Sequence, residues 1–289
     1  MSASTKISDQ DIADARARVP GAFSEPLNQR LLRYIGWGVF AALMGYCFWA
    51  FNFSPWRIWM GLGRLGDVLS FMFPPYIWTT WEEFSEILKG LGETLSIAFM
   101  GTILGATIAF PLSFLGARNI NRLNFFRLGV RRGYDVIRAF ETLILALIFI
   151  RAFGLGPLAG ILAIAVSEIG TFAKLFSEAI ENTSRKPVEG VKASGGSRLQ
   201  EIRFGIAPQV NPVMLSILLY QFESNVRSGT ILGIVGAGGI GFLLSDRIAA
   251  YKWAEAWSII FLIIAMVYII DSLSGLIRSK IIGTWDGAK

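Results

Sequence analysis

Long stretches of this chain carry no charge at all. None falls between Arg33 and Arg57, between Glu93 and Arg118, or between Arg151 and Glu168, and residues 204–222 and 256–270 are equally bare. A segment of about 20 mainly apolar residues is what a helix needs to cross a hydrocarbon core about 30 Å thick. Within lipid every backbone polar group must be satisfied internally, so runs of this kind are confined to helices packed in a membrane. A mean hydropathy of +0.53 over 289 residues, 53% of them hydrophobic, agrees with that constraint.

Composition then removes whole classes of chemistry. There are no histidines, and Cys47 is the one cysteine. Nucleophilic catalysis through a Ser–His or Cys–His pair is excluded, an internal disulfide cannot form, and no histidine or cysteine cluster is available for a metal. No Walker A sequence occurs, so the chain is not expected to be an enzyme, and any ATP hydrolysis has to be supplied by another polypeptide.

Six spans are predicted, at 32–54, 92–117, 134–153, 156–180, 210–235 and 253–276. The loops after the second and fourth carry Arg118, Arg122, Arg127, Arg131 and Arg132, then Arg185, Lys186, Lys192, Arg198 and Arg203. With the two termini, that side holds most of the 27 basic residues, whereas the opposite loops hold only Arg57, Arg64, Lys89, Arg151, Arg247 and Lys252. The positive-inside rule puts both termini in the cytoplasm and assigns the +6 net charge to membrane orientation, not to nucleic acid. The polar opening predicts a retained anchor and no cleavable signal. The expected organisation is a cytoplasmic arm (1–31), a first transmembrane helix (32–54), a periplasmic interfacial segment (55–91), a core (92–280) containing a cytosolic loop at 181–209, and a tail (281–289). Trp56, Trp59, Trp78 and Trp81 fit an interfacial belt in the second of these gaps, where a re-entrant segment remains an alternative.

The cytosolic loop has a pattern of its own. Lys186-Pro187 suits a helix start. Val188 and Val191 share a face, with Glu189 and Lys192 turned elsewhere. Gly195-Gly196 breaks the helix, and Ser197 with Gln200 forms a capping-box pair that starts another. Pro208 and Pro212 lead into the fifth span. On the residues alone this is either a solvated helical loop or a handle that an outside partner grips.

The spacing of Glu189, Gly195 and Pro208 resembles the coupling loop of ABC importer permeases, with Gly190 and Val191 in place of the two usual alanines, and Gly205 and Ala207 in place of Ile and Leu. The runs Met72–Pro75, Glu141–Phe149, Gly154–Gly160 and Val235–Gly241 are similar to the phosphonate permeases of that type I family. The resemblance implies an all-α integral membrane protein of six transmembrane helices with the MetI-like permease fold. It implies a homodimer embedded in the bilayer of the bacterial inner membrane, a cytoplasmic ABC ATPase dimer that binds ATP and Mg, no cofactor in this chain, and a periplasmic phosphonate-binding protein. Glu189, Gly190, Val191, Gly195 and Pro208 would couple to the ATPase. Phosphite, another oxyanion or methionine are alternative cargoes, and an ion-coupled secondary transporter is the rival mechanism.

Two further patterns bear on the pathway. Gly236-Ala237-Gly238-Gly239-Ile240-Gly241 spells a dinucleotide-binding sequence but lacks the strand before it that such a site requires. It is expected to be flexible, close-packed backbone at the outer mouth. Arg138/Glu141, Lys174/Glu178 and Glu223/Arg227 sit at helical pair spacing, while Glu168 and Asp271 have no such partner in their own spans. Charges within spans are costly and turn inward. Arg138, Glu141, Glu223, Ser224, Asn225, Arg227 and Ser228 are therefore the candidate pathway residues for an anion, the alternative being that the pairs only lock helix to helix.

Overall fold

The computed structural model describes Ala17, residues 27–121 and residues 123–286, with side chains through Lys280; most of the N-terminal arm, Arg122 and the last three residues lie outside the described residues. Two compact units divide at Val68 and Leu69.

The first unit holds helix α1 (Leu27–Ala50) and most of α2 (Pro55–Ser70). α1 is 24 residues long and buries none of them. A helix apolar all round with nothing buried is matched to lipid, not to water. α2 begins at a proline, as its expected interfacial start suggests.

The second unit is entirely helical. α3 (Trp81–Gly116), α4 (Asn124–Arg138), α5 (Thr142–Phe153) and α6 (Pro157–Glu181) lead to the short α7 (Arg185–Ala193). There follow α8 (Arg198–Gln200), a π-helical turn (Glu201–Ile206), α9 (Ala207–Ile234), α10 (Ile240–Ala249) and α11 (Trp253–Asp286). Among the described residues, five helical stretches are long and apolar enough to cross: α1, α3, α6, Arg198–Ile234, and α11 to Lys280.

The expected third span, 134–153, is not one helix. α4 stops at Arg138, Glu141 is extended as the N-cap of α5, and α5 is a 12-residue apolar segment. At 1.5 Å per residue that is about 18 Å, too short to cross alone. The expected span therefore falls on two helices joined at Ala139-Phe140-Glu141, with an acidic side chain at the positive end of α5. The second span also starts earlier than expected, because Trp81–Leu91 is already helix.

α3 and α6 form the central pair. A Cβ on Gly101 would lie 2.7 Å from Ile164 Cβ, and one on Gly105 would lie 2.8 Å from Glu168 Cβ. The Gly101-x-x-x-Gly105 spacing therefore permits close helix approach, as small residues do in membranes. Towards the end of the bundle nearest α7, Tyr134, Phe172, Phe176, Ile180 and Val210 fill the core. At the opposite end Ile87, Ile240, Leu244 and Ile259 do so.

α8, the π turn and α9 run on without interruption, where the sequence suggests a new span at Pro208. Pro208 lies in the first turn of α9 and has no N–H to give. The π turn closes i→i−5 instead, with Ala207 N–H bonding to Ile202 O, so the rod continues through the proline.

Candidate functional site

The elbow between α6 and α9 is built from local signals. Pro187 is the third residue of α7, still within the turn whose N–H groups have no helical partner. α7 ends in a paired-carbonyl cap: Gly196 N–H bonds to Val191 O at 3.0 Å and Gly195 N–H to Lys192 O at 3.0 Å. Gly195 has φ +78°, a left-handed conformation that favours glycine. α8 restarts through the capping box, in which Ser197 N–H donates to Gln200 Oε1 at 2.7 Å.

Val188 and Val191 are half-buried, whereas Glu189 and Gly190 are exposed. Val188 lies on Gly205 of the π turn; a Cβ there would meet Val188 Cα at 3.0 Å. The substitution of glycine for a larger residue at 205 is what lets α7 fold back on the rod. Pro208 starts α9 and stands behind this contact.

Residues that spacing rules did not single out hold the elbow in place. Gln209 accepts from Ser184 N–H at 3.0 Å and donates to Gly205 O at 2.6 Å. Arg198 reaches back to Ile120 O at 2.8 Å. Glu181 accepts from Arg118 N–H at 2.6 Å and from Arg131 Nη2 at 2.8 Å. These contacts tie the segments that flank α7, the end of α6 and the start of α8, to the α3–α4 connection and to α4, while Gln209 fastens Ser184, just before α7, to α9. Between them lies an open hollow of about 430 Å³, whose charged lining includes Arg118, Arg185, Lys192, Arg198, Glu189 and Glu201.

Within the bundle the candidate pathway residues separate into two groups. Glu223 is buried, at 8% side-chain exposure. Its Oε1 faces Arg227 Nη2 at 3.3 Å, as its spacing predicts, and its Oε2 faces Arg278 Nη2 of α11, also at 3.3 Å. Ser224 and Ser228 are half-buried beside it.

Asn225 turns away from this cluster. It donates to Glu168 Oε1 at 3.0 Å and to Thr102 Oγ1 at 3.0 Å. Gln221 donates to both oxygens of the same carboxylate, at 3.0 and 3.1 Å. Glu168 therefore has partners, all on other helices, and Asn225 is committed to a three-helix lock of α3, α6 and α9.

Arg138 and Glu141 do not share a helical face, because one closes α4 and the other caps α5. Arg138 instead packs along Gly170, where a Cβ would lie 2.9 Å from its Cγ. Lys174 pairs with Asp135 of α4 at 3.1 Å, not with Glu178 along its own helix. Asp271 is exposed on α11.

The glycine run is not loose. Gly236, Gly238 and Gly239 have φ of +102°, +85° and +77°, and Gly241 sits directly against the Thr230 carbonyl. Ile240 N–H donates to Thr94 Oγ1 at 2.9 Å, and Gly156 N–H to Gly236 O at 3.1 Å. A pyrophosphate would need the amide that Thr94 already occupies. The expected flexibility gives way to a buried clamp between α3, α6 and α9: a Cβ on Gly241 would collide with the Thr230 backbone, and one on Gly236 or Gly239 with the side chains of Leu155 or Thr94.

Comparison with known proteins agrees with this architecture. The chain is 38% identical over 228 residues to the putative phosphite transport system permease protein HtxC of Stutzerimonas stutzeri, covering 79% of each chain. It is 34% identical over 274 residues to the phosphate-import permease protein PhnE of Mycolicibacterium smegmatis, covering 94% of this chain but 50% of that one. The phosphite transport system permease protein PtxC of Stutzerimonas stutzeri is 31% identical, with 83% and 86% covered. Among solved structures, a chain of the inward-facing MetNI methionine ABC transporter superposes with a TM-score of 0.62 at 20% identity, covering 70% of this chain and 99% of that one, which shows a shared fold. Residues 101–283 match the family described as binding-protein-dependent transport system inner membrane component, and the chain belongs to that family of multi-pass transport permeases.

Proposed function

We propose that this chain is the translocating subunit of an ATP-driven importer whose cargo is a phosphorus oxyanion, with phosphonate as first choice and phosphite as its near alternative. Two copies form the pathway. A cytoplasmic ATPase dimer binds ATP and Mg and grips the elbow through Glu189, Gly190 and Val191, and a periplasmic binding protein delivers the anion. Both termini face the cytoplasm, and residues 55–91 lie at the periplasmic interface.

The observation that carries this reading is the elbow. α7 presents Glu189 outward while Val188 seats it on Gly205, and Gly205 belongs to the same uninterrupted rod as Glu223 and Arg227. A push on α7 is thereby delivered to the rod that crosses the bundle. The cargo class is supported by relatives named for phosphite, phosphate and phosphonate transport, and by cationic side chains inside the bundle. An ion-coupled secondary transporter does not fit a binding-protein-dependent family.

The test is to purify the chain with its native partners and reconstitute it. ATP-dependent uptake of methylphosphonate that requires a co-eluting ATPase is expected. Uptake driven by an ion gradient with no ATPase present would overturn the reading.

A further inference from the structure

We propose that Arg227 and Arg278 form an oxyanion-binding step inside the bundle, in which Glu223 is the resident counter-ion that yields its place to the cargo. This rests on the phosphorus-oxyanion reading and names the site at which that class of ligand is held.

The first argument is charge. Two guanidiniums converge on one carboxylate, leaving a net positive charge in a region where each ion is costly. A pair that only locked helices together would be neutral. The other buried carboxylate of the bundle shows a contrast in its direct contacts: Glu168 is capped by the neutral amides of Gln221 and Asn225, and among the described residues its nearest cation, Arg138, acts on it without an ion-pair contact.

The second argument is geometry. Glu223 lies behind the arginines, at 8% side-chain exposure against 50% for Arg227 and 27% for Arg278. Each guanidinium has five N–H donors in a planar fork, and one nitrogen of each approaches Glu223, at the long distance of 3.3 Å. A guanidinium half-exposed on a membrane helix faces a wet cavity or a partner, not acyl chains.

The third argument is the surroundings. Tyr220, Glu223, Ser224 and Arg227 share one face of α9 by helical spacing. The Arg278 guanidinium stands over the Tyr220 ring at 6.0 Å, and the Ser224 and Tyr220 hydroxyls add neutral donors beside the two forks. Paired planar forks match a tetrahedral oxyanion whose three oxygens are divided between the two arginines, one of them shared. The arrangement fits a dianion better than a monoanion, because only the former satisfies both guanidiniums once Glu223 swings out.

The experiment uses the complete transporter in nanodiscs, with methylphosphonate as the probe and an uncharged phosphorus ester as control. Binding to the permease–ATPase complex and ATP-driven uptake are measured for wild type, Arg227→Gln, Arg278→Gln, Arg278→Lys and Glu223→Gln, with thermal melting of each complex as a check on folding. Loss of one charge-assisted contact in either glutamine variant is expected to weaken methylphosphonate binding about ten-fold, with Arg278→Lys recovering part of it. Glu223→Gln is expected to move binding the other way, several-fold tighter, while uptake slows because the anion is released less readily. Opposite signs for the arginine and glutamate variants would not arise from a helix-locking pair. If wild type takes up methylphosphonate and none of these variants changes its binding, the site is wrong and the function stands. If wild type takes up no phosphorus oxyanion, both fall.

Discussion

Val188 Cα stands where a side chain on Gly205 would have to go, with an ideal Cβ at 205 only 3.0 Å from it. Both partners are backbone or close to it, so neither can rotate out of the way. Gly205→Leu is expected to lift α7 from the rod while leaving the bundle folded. Uptake should fall at least ten-fold, with cross-linking between residue 189 and the ATPase weakened; full uptake in this variant would show that α7 does not act through the rod.

Gly195 carries φ +78° with open space around it, so a substitution there is penalised by conformation and not by collision. Gly195→Val should cost about 1–2 kcal/mol locally and misdirect α8 relative to α7. The complex should still assemble, and the ratio of transported anion to ATP hydrolysed should drop. An unchanged ratio would count against the bend as part of the drive.

Glu168 separates hydrogen bonding from charge. Glu168→Gln keeps an acceptor for Gln221 and Asn225 and is expected to melt close to wild type. Glu168→Leu orphans donors in a dry interior, at about 1–3 kcal/mol for each unsatisfied group. A clear fall in melting temperature in detergent should follow for the leucine variant alone. Equal melting of both variants would mean that the three-helix lock adds no stability.

Thr94 holds the glycine clamp by accepting from Ile240 N–H while its hydroxyl donates to Gly90 O at 3.0 Å. Thr94→Val preserves shape and removes the acceptor. Faster amide hydrogen exchange at Ile240 and Gly241 is the expected readout, with Thr94→Ser restoring protection. Unchanged exchange would indicate that the glycines are held by packing alone.

The elbow was readable because its signals are local. Gly195, Ser197 and Gln200 lie within six residues, and helix capping acts over that distance. The third crossing was not, because no glycine or proline marks the break near Glu141 and pair spacing presumes an unbroken helix. The same presumption misassigned Lys174, whose partner Asp135 is 39 residues away. Arg278 falls just past the expected sixth span at 253–276, and its partner is a carboxylate 55 residues earlier in the chain. Glu168 looked unpartnered for the same reason, its amide donors lying 53 and 57 residues further on. Spacing rules see along one helix, and the charges of this bundle are settled between helices.

The uninterrupted stretch from Arg198 to Ile234 has a mechanical consequence. Its outer end is pinned where Gly233 meets Gly238 and Gly241, and its inner end carries the elbow. A stiff beam held at the top has its fulcrum there. Glu223 stands roughly 16 Å from that fulcrum and Arg198 roughly 54 Å, so a given sweep at the elbow end arrives at the arginine pair reduced to about a third. Large travel outside the bilayer is thereby geared down to a displacement of the order of one side-chain contact inside it.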